Sequence, residues 1–179
     1  EVSVYTVYYL VANGLRKVIT TISTGVEAAF GNIIARNETE VLQNDVMYYE
    51  TIIHIVSSII FGVGIVLVTP FVRVYTAGIT DVDYIRYTFG YLVIFTEMLF
   101  CLRIPYEAVI QAAGHFKQTK KYAFAEAGIN LGVSLLLVSK YGLMGVVVGT
   151  LVAAVFRNAA YGIYASKYIV KRRNWIFIK

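Results

Sequence analysis

Residues 46–68 read VMYYETIIHIVSSIIFGVGIVLV. A helix needs about 20 predominantly apolar residues to cross a hydrocarbon core of roughly 30 Å, and this run has that length. It is longer than a strand of a membrane barrel and lacks sustained alternation, so it predicts a membrane-crossing helix. The pattern recurs on either side of it, at 4–34, 84–113, 122–138 and 143–165. Polar breaks separate the runs: Arg36-Asn37-Glu38-Thr39-Glu40, the stretch from Pro70 to Asp83 with Gly78, the basic stretch from Gly114 to Lys121, and a tight Lys140-Tyr141-Gly142 turn. The predicted fold class is all-α, a polytopic transmembrane bundle of about five helices.

Composition points the same way. Hydrophobic residues make up 58% of the 179 and charged residues 15%, against roughly 25% charged in an average soluble domain. There is no low-complexity segment, no separate soluble domain and no secretory signal pattern. Few transporters are this short, so residues 1–179 are expected to be one transmembrane fragment of a larger bundle. The single cysteine, Cys101, cannot close an internal disulfide and reads as a small buried apolar residue.

The net charge of +5 does not argue for nucleic acid, because in a membrane protein the distribution of Lys and Arg carries the information. Placing the breaks alternately on opposite sides gives one side Arg36, Lys117, Lys120, Lys121, Lys167, Lys171, Arg172, Arg173 and Lys179. The other side receives Arg73, Arg86 and Lys140, while Arg16, Lys17, Arg103 and Arg157 lie inside spans. The positive-inside rule then predicts a multi-pass protein of the cell membrane with the N-terminus outside and the C-terminus cytoplasmic. Tyr5, Tyr8, Tyr9, Tyr48, Tyr49, Tyr84, Tyr87 and Trp175 fall near the proposed span ends, where amphipathic rings favour the headgroup region.

Charges at a span centre cost about 2.5–3.5 kcal/mol on insertion scales and usually face a wet cavity or a partner. Counted from Val4, Arg16 sits roughly 18 Å deep, near the bilayer middle. Taken as one continuous helix, the first span gathers Asn13, Arg16, Lys17, Thr20, Thr24, Glu27 and Gly31 into a sector of about 100°. This stripe reads as a wall of a hydrated cavity with a cationic centre, or as a buried network that holds helices together. Adjacent Arg16 and Lys17 would need more than one counter-charge in a dry interface, which favours the cavity.

In the third span Thr96, Arg103, Glu107, Gln111 and Gly114 share a sector of about 80°, Arg103 and Glu107 are spaced to pair, and Pro105 predicts a bend. Glu97 lies off that sector and is expected to face another helix or the opposite wall. Glu126, Asn130 and Ser134 recur every four residues on the fourth span, with Gly128 and Gly132 on another side. Gly145, Gly149 and Ala153 form a similar row on the fifth, and both small-residue rows predict close helix packing. Arg157 and Asn158 are read either as cavity residues or as groups reaching back to the surface. His54 is a candidate proton relay or a hydrogen-bonded packing residue, and His115 is expected to be solvated in the basic turn. No phosphate loop, nucleophile elbow or metal-ligand spacing is present, so no catalytic residue, metal or cofactor is predicted.

Three pieces in order carry a resemblance: Ala112-Ala113-Gly114-His115-Phe116-Lys117-Gln118-Thr119, then Ala127-Gly128-Ile129-Asn130-Leu131, then Lys140-Tyr141-Gly142-Leu143-Met144-Gly145-Val146-Val147-Val148-Gly149-Thr150. Together they resemble the polysaccharide-biosynthesis transporters, the O-antigen and capsule repeat-unit flippases of the multidrug/oligosaccharidyl-lipid/polysaccharide exporter superfamily. The first span, Val4-Tyr5-Thr6-Val7-Tyr8 through Gly31-Asn32-Ile33-Ile34-Ala35, is similar to the second helix of a lobe in that family. The resemblance implies most of one lobe of a two-lobed transporter and, as function, the flipping of an undecaprenyl-pyrophosphate-linked oligosaccharide by alternating access, with no enzymatic step. It also implies as partners the lipid-linked oligosaccharide, membrane lipids, a glycan polymerase and glycosyltransferases.

Against that cargo, Arg16 and Lys17 are the first candidates for attracting the pyrophosphate, followed by Arg103 and Arg157. Asn13, Thr20, Thr24, Gln111 and Asn130 are candidates for hydrogen bonds to sugars. Glu97, Glu107, Glu126 and His54 are candidates for charge pairing or ion coupling. Three rival readings remain: a multidrug or cation antiporter, a non-transporting membrane subunit, and a membrane transferase using Arg73, Asp81 and Asp83 of the long outer loop.

Overall fold

A computed structural model describes residues 2–79 and 82–172. The chain is a bundle of helices: α1 (Val2–Ile22), α2 (Val26–Ala35), α3 (Thr39–Tyr75), α4 (Tyr87–Leu102), α5 (Ile104–Ala112), α6 (Phe116–Tyr141) and α7 (Leu143–Tyr164), the last ending in a π-helical turn, Ala165–Ile169. Among the described residues four stretches are long and apolar enough to cross a membrane: Val2–Ala35, Thr39–Tyr75, Phe116–Tyr141 and Leu143–Ile169. The remaining expected span is split into α4 and α5. Trp175, Arg173, Lys179 and Asp81 of the sequence reading lie outside the described residues.

The first span is not the continuous helix on which its polar stripe was drawn. Thr20, Thr21, Ser23 and Thr24 all turn their hydroxyls back onto carbonyls of α1, at Lys17, Ile19 and Thr20. Such bonds compete with helix continuation. Gly25 then takes φ 88°, a left-handed conformation open to glycine at no steric cost, and α2 starts afresh. Residues after the break therefore lie on a face set by α2.

The bend expected in the third span is a true interruption. Pro105 has no N–H and its ring crowds the carbonyl four residues back, so α4 stops at Leu102 and α5 restarts with Pro105 in its first turn. The basic stretch after Gly114 is largely helical: the turn is confined to 113–115, and Phe116 through Lys121 form the first turns of α6.

Two apolar clusters hold the bundle. One joins Val4, Tyr8, Ala12 and Ile19 of α1 to Phe61 and Val68 of α3 and to Phe89, Val93 and Ile94 of α4. The other joins Phe30, Leu42 and Val46 to Tyr106, Val109, Tyr161 and Tyr164. Tyr8 packs edge-on against Phe89, and its hydroxyl donates to Tyr84 O and accepts from Arg86 N, both at 3.0 Å. That interface needs Gly90, because a Cβ there would stand 2.5 Å from the Tyr8 ring.

The α6–α7 hairpin obeys the small-residue reading on one side only. A Cβ on Gly145 would lie 2.6 Å from the Leu137 carbonyl carbon, and one on Gly149 would lie 2.9 Å from Ser134 N and 3.1 Å from Asn130 O. The Gly128–Gly132 row packs against nothing: both glycines are exposed, with no atom within 4 Å of a Cβ built on either. Phe124, Leu131, Leu135 and Leu136 are also exposed on α6, an apolar face suited to lipid.

Candidate functional site

Buried charge runs through the bundle as a chain of pairs. Arg16 Nη1 meets Glu97 Oε2 at 3.3 Å, so Glu97 does face another helix, α1. The Phe100 ring lies between two guanidiniums, with Arg16 at 5.3 Å and Arg103 at 5.1 Å from its centroid. Arg103 reaches Glu107 at 2.7 Å, the pairing expected from their spacing, and Glu126 at 2.9 Å. The second oxygen of Glu126 holds Arg157 at 2.6 Å, and Arg157 also donates to Tyr161 Oη. One carboxylate of α6 therefore ties α7 to the break between α4 and α5.

The break presents carbonyls that the helix does not use. Arg103 N–H turns to Cys101 O and Tyr106 N–H to Arg103 O, away from Leu99 O and Leu102 O. Asn158 Nδ2 donates to Leu99 O at 2.9 Å, and His54 Nε2 lies 3.2 Å from Leu102 O. The His54 contact requires the proton on Nε2. His54 and Asn158 also border a largely apolar groove with Leu99, Leu102, Tyr106 and Ile163. His54 is thus hydrogen-bonded to the break, and neither Arg157 nor Asn158 reaches back to the surface.

The polar residues of α1, α2 and α5 meet around a different space, a cavity of about 570 Å³. Thr20, Ser23, Thr24 and Gly25 supply one wall, Glu27 and Ala28 of α2 another, and Glu107 and Gln111 with Ile104 and Ala108 of α5 a third; Tyr49 of α3 closes it. The Gln111 amide nitrogen, in the orientation that satisfies both groups, lies 2.8 and 3.0 Å from the two oxygens of Glu27. Hydroxyls, an amide, two carboxylates and an aromatic ring line this space, and no Lys, Arg or His is among its lining residues.

The structure therefore gathers part of the predicted site and disperses the rest. Thr20, Thr24, Glu107 and Gln111 are brought together, with Glu27 of the polar stripe. Arg16 and Lys17 do not form a joint cationic centre: Arg16 belongs to Glu97, while Lys17 is exposed and forms no ion pair among the described residues. Arg103 and Arg157, each 8% exposed, are held by carboxylates. Asn13 lies outside the cavity lining, and Asn130 accepts from Ser134 Oγ at 3.0 Å on the α6–α7 seam. Arg73 bonds to Tyr87 Oη, and Asp83 accepts from Ile85 N to shape its own turn. His115 is not simply solvated, since its Nδ1 stands 3.0 Å from Tyr164 Oη.

Sequence reasoning passed over Ser23 and Glu50, and read Tyr49 as a span-end ring where it lines the cavity. Glu50 accepts from Tyr106 Oη and pairs with Arg172 at 2.6 Å, while Gln43 Nε2 donates to Val170 O, fastening the end of α7 to α3. A carboxylate inside the run at 46–68 was the available signal for this pair. Among the described residues no group of His, Cys, Asp and Glu is arranged to hold a metal. Compared with family models, curated proteins and solved structures, the chain matches none.

Proposed function

We propose that the chain is part of one lobe of a membrane transporter that flips an undecaprenyl-pyrophosphate-linked oligosaccharide from the cytoplasmic to the outer leaflet by alternating access. The observation that carries this reading is the cavity built on a broken helix: Thr20, Ser23 and Thr24 at the interruption, with Gln111, Glu27, Glu107 and Tyr49 around them. Broken helices at membrane depth occur where backbone lines a cavity, and transporters place substrates there. Hydroxyl, amide and carboxylate groups beside one aromatic face are the chemistry that binds sugar hydroxyls.

In this reading the glycan occupies the cavity and the pyrophosphate is drawn by Lys17, which precedes Thr20 by about one helical turn. In the same reading Arg36, Lys117, Lys167 and Lys171 lie at the cytoplasmic end and Arg73, Arg86 and Lys140 at the outer end, a distribution that supports an N-terminus outside. Lys17→Gln is expected to lower translocation of a fluorescent lipid-linked oligosaccharide in proteoliposomes at least tenfold, with unchanged protein abundance and melting. Unchanged translocation would remove Lys17 from the pathway, and absence of any translocation by the native chain would overturn the flippase reading.

A specific observation favours a second reading, an antiporter for organic cations: Glu27 and Glu107 line the cavity, and no Lys, Arg or His among the described residues does. Counterflow of a lipophilic cation driven by a proton or sodium gradient, abolished by Glu27→Gln, would establish it. No gradient-driven flux would dismiss it.

A further inference from the structure

The charge on the cavity wall says which sugars fit. Arg103 divides its guanidinium between Glu107 and Glu126, and Glu126 is in turn shared with Arg157. These two arginines and two carboxylates cancel. Glu27 stands apart: it forms no ion pair among the described residues, and the group facing both of its oxygens is the neutral amide of Gln111. The wall therefore carries an uncompensated negative charge at Glu27, beside hydroxyls that are already donating to α1 carbonyls.

We infer that this cavity selects glycan units bearing amino or neutral substituents and rejects units bearing carboxylates. The inference rests on the glycan reading above. A protonated amine would make a charge-assisted bond to Glu27, stronger and shorter than a neutral one, and a hydroxyl or acetamido group can also donate to it. A uronic acid would meet the unpaired Glu27 with like charge. The Thr20 and Thr24 hydroxyls keep free lone pairs after donating, so they act as acceptors and also favour donor-rich sugars. The cavity volume falls within the roughly 300–1,000 Å³ range of small-molecule sites, enough for the discriminating part of a repeat unit.

The test is equilibrium binding to the full chain in lipid nanodiscs at neutral pH, with three soluble probes of equal length: triglucosamine, tri-N-acetylglucosamine and trigalacturonate. The expected result is binding of the amino and acetamido probes at least tenfold tighter than trigalacturonate. Glu27→Gln is expected to shrink that ratio below threefold without lowering the melting temperature, and Glu27→Asp to restore most of it. Equal or tighter binding of trigalacturonate overturns the inference, as does a preference that survives Glu27→Gln. If none of the probes binds, the selectivity inference falls. Translocation of a neutral lipid-linked oligosaccharide in proteoliposomes then shows separately whether the flippase reading stands.

Discussion

On the side of the bundle where α4, α6 and α7 meet, every buried guanidinium is answered by a carboxylate, and the helices touch at backbone distance through Gly145 and Gly149. On the side where α1, α2 and α5 meet, polar groups of the same kinds stand around an open space, and Glu27 has only an amide before it. The first region consumes its charge in holding helices together. The second leaves its hydrogen-bonding capacity facing inward. Intramembrane charge alone therefore does not mark a pathway: the deepest cations here belong to the closed region, and the accessible chemistry belongs to residues with less conspicuous charge.

Substitutions should separate the two regions by the size of their effect on stability. Glu126→Ala would leave the buried Arg157 guanidinium without a carboxylate and Arg103 with Glu107 alone, and breaking a buried pair in this way costs about 3–5 kcal/mol. Thermal melting in detergent is expected to show a large drop or no folded protein, and a native-like melt would remove Glu126 from the closed region. Gly149→Ala comes next, because its methyl would press on Ser134 N and Asn130 O, an overpacking cost of about 1–3 kcal/mol. The paired control Gly128→Ala should melt as the native chain does, and equal losses at both positions would contradict the one-sided seam.

Tyr8→Phe leaves Tyr84 O and Arg86 N without their shared hydroxyl, for an expected loss of about 1–3 kcal/mol. Its readout is melting together with faster hydrogen exchange at the start of α4. Smallest of all is Glu27→Gln, which keeps shape and hydrogen bonding at an exposed position and should stay within about 0.5 kcal/mol of native while altering binding. A large destabilisation by Glu27→Gln would move this residue to the closed region and dissolve the contrast.

Much of the fold was legible because hydrophobic run length is a strong signal: the runs at 46–68, 122–138 and 143–165 each lie inside a longer helix. The Arg103–Glu107 pair and the interruption near Pro105 were legible from local spacing and from the missing N–H. The break at Gly25 was not, because its cause is cooperative: four hydroxyls bond back to α1 before one glycine turns left-handed. Without it the polar stripe was drawn straight from Arg16 and Lys17 of α1 to Glu27, which lies on the separate helix α2. The sharing of Glu126 between Arg103 at the α4–α5 break and Arg157 of α7 depends on which helices are neighbours, which periodicity along one helix does not state.

The two interruptions differ in how they are braced. The carbonyls left over at Arg103 are taken by His54 from α3 and Asn158 from α7, so the joint between α4 and α5 is splinted from both flanks. At Gly25, nothing among the described residues lies within 4 Å of a Cβ built there. One joint is a braced elbow, and the other turns on a single glycine. Any rocking of α1 against the rest of the bundle would be absorbed at Gly25, carrying the hydroxyl wall of the cavity toward or away from Gln111 while the braced elbow keeps its angle.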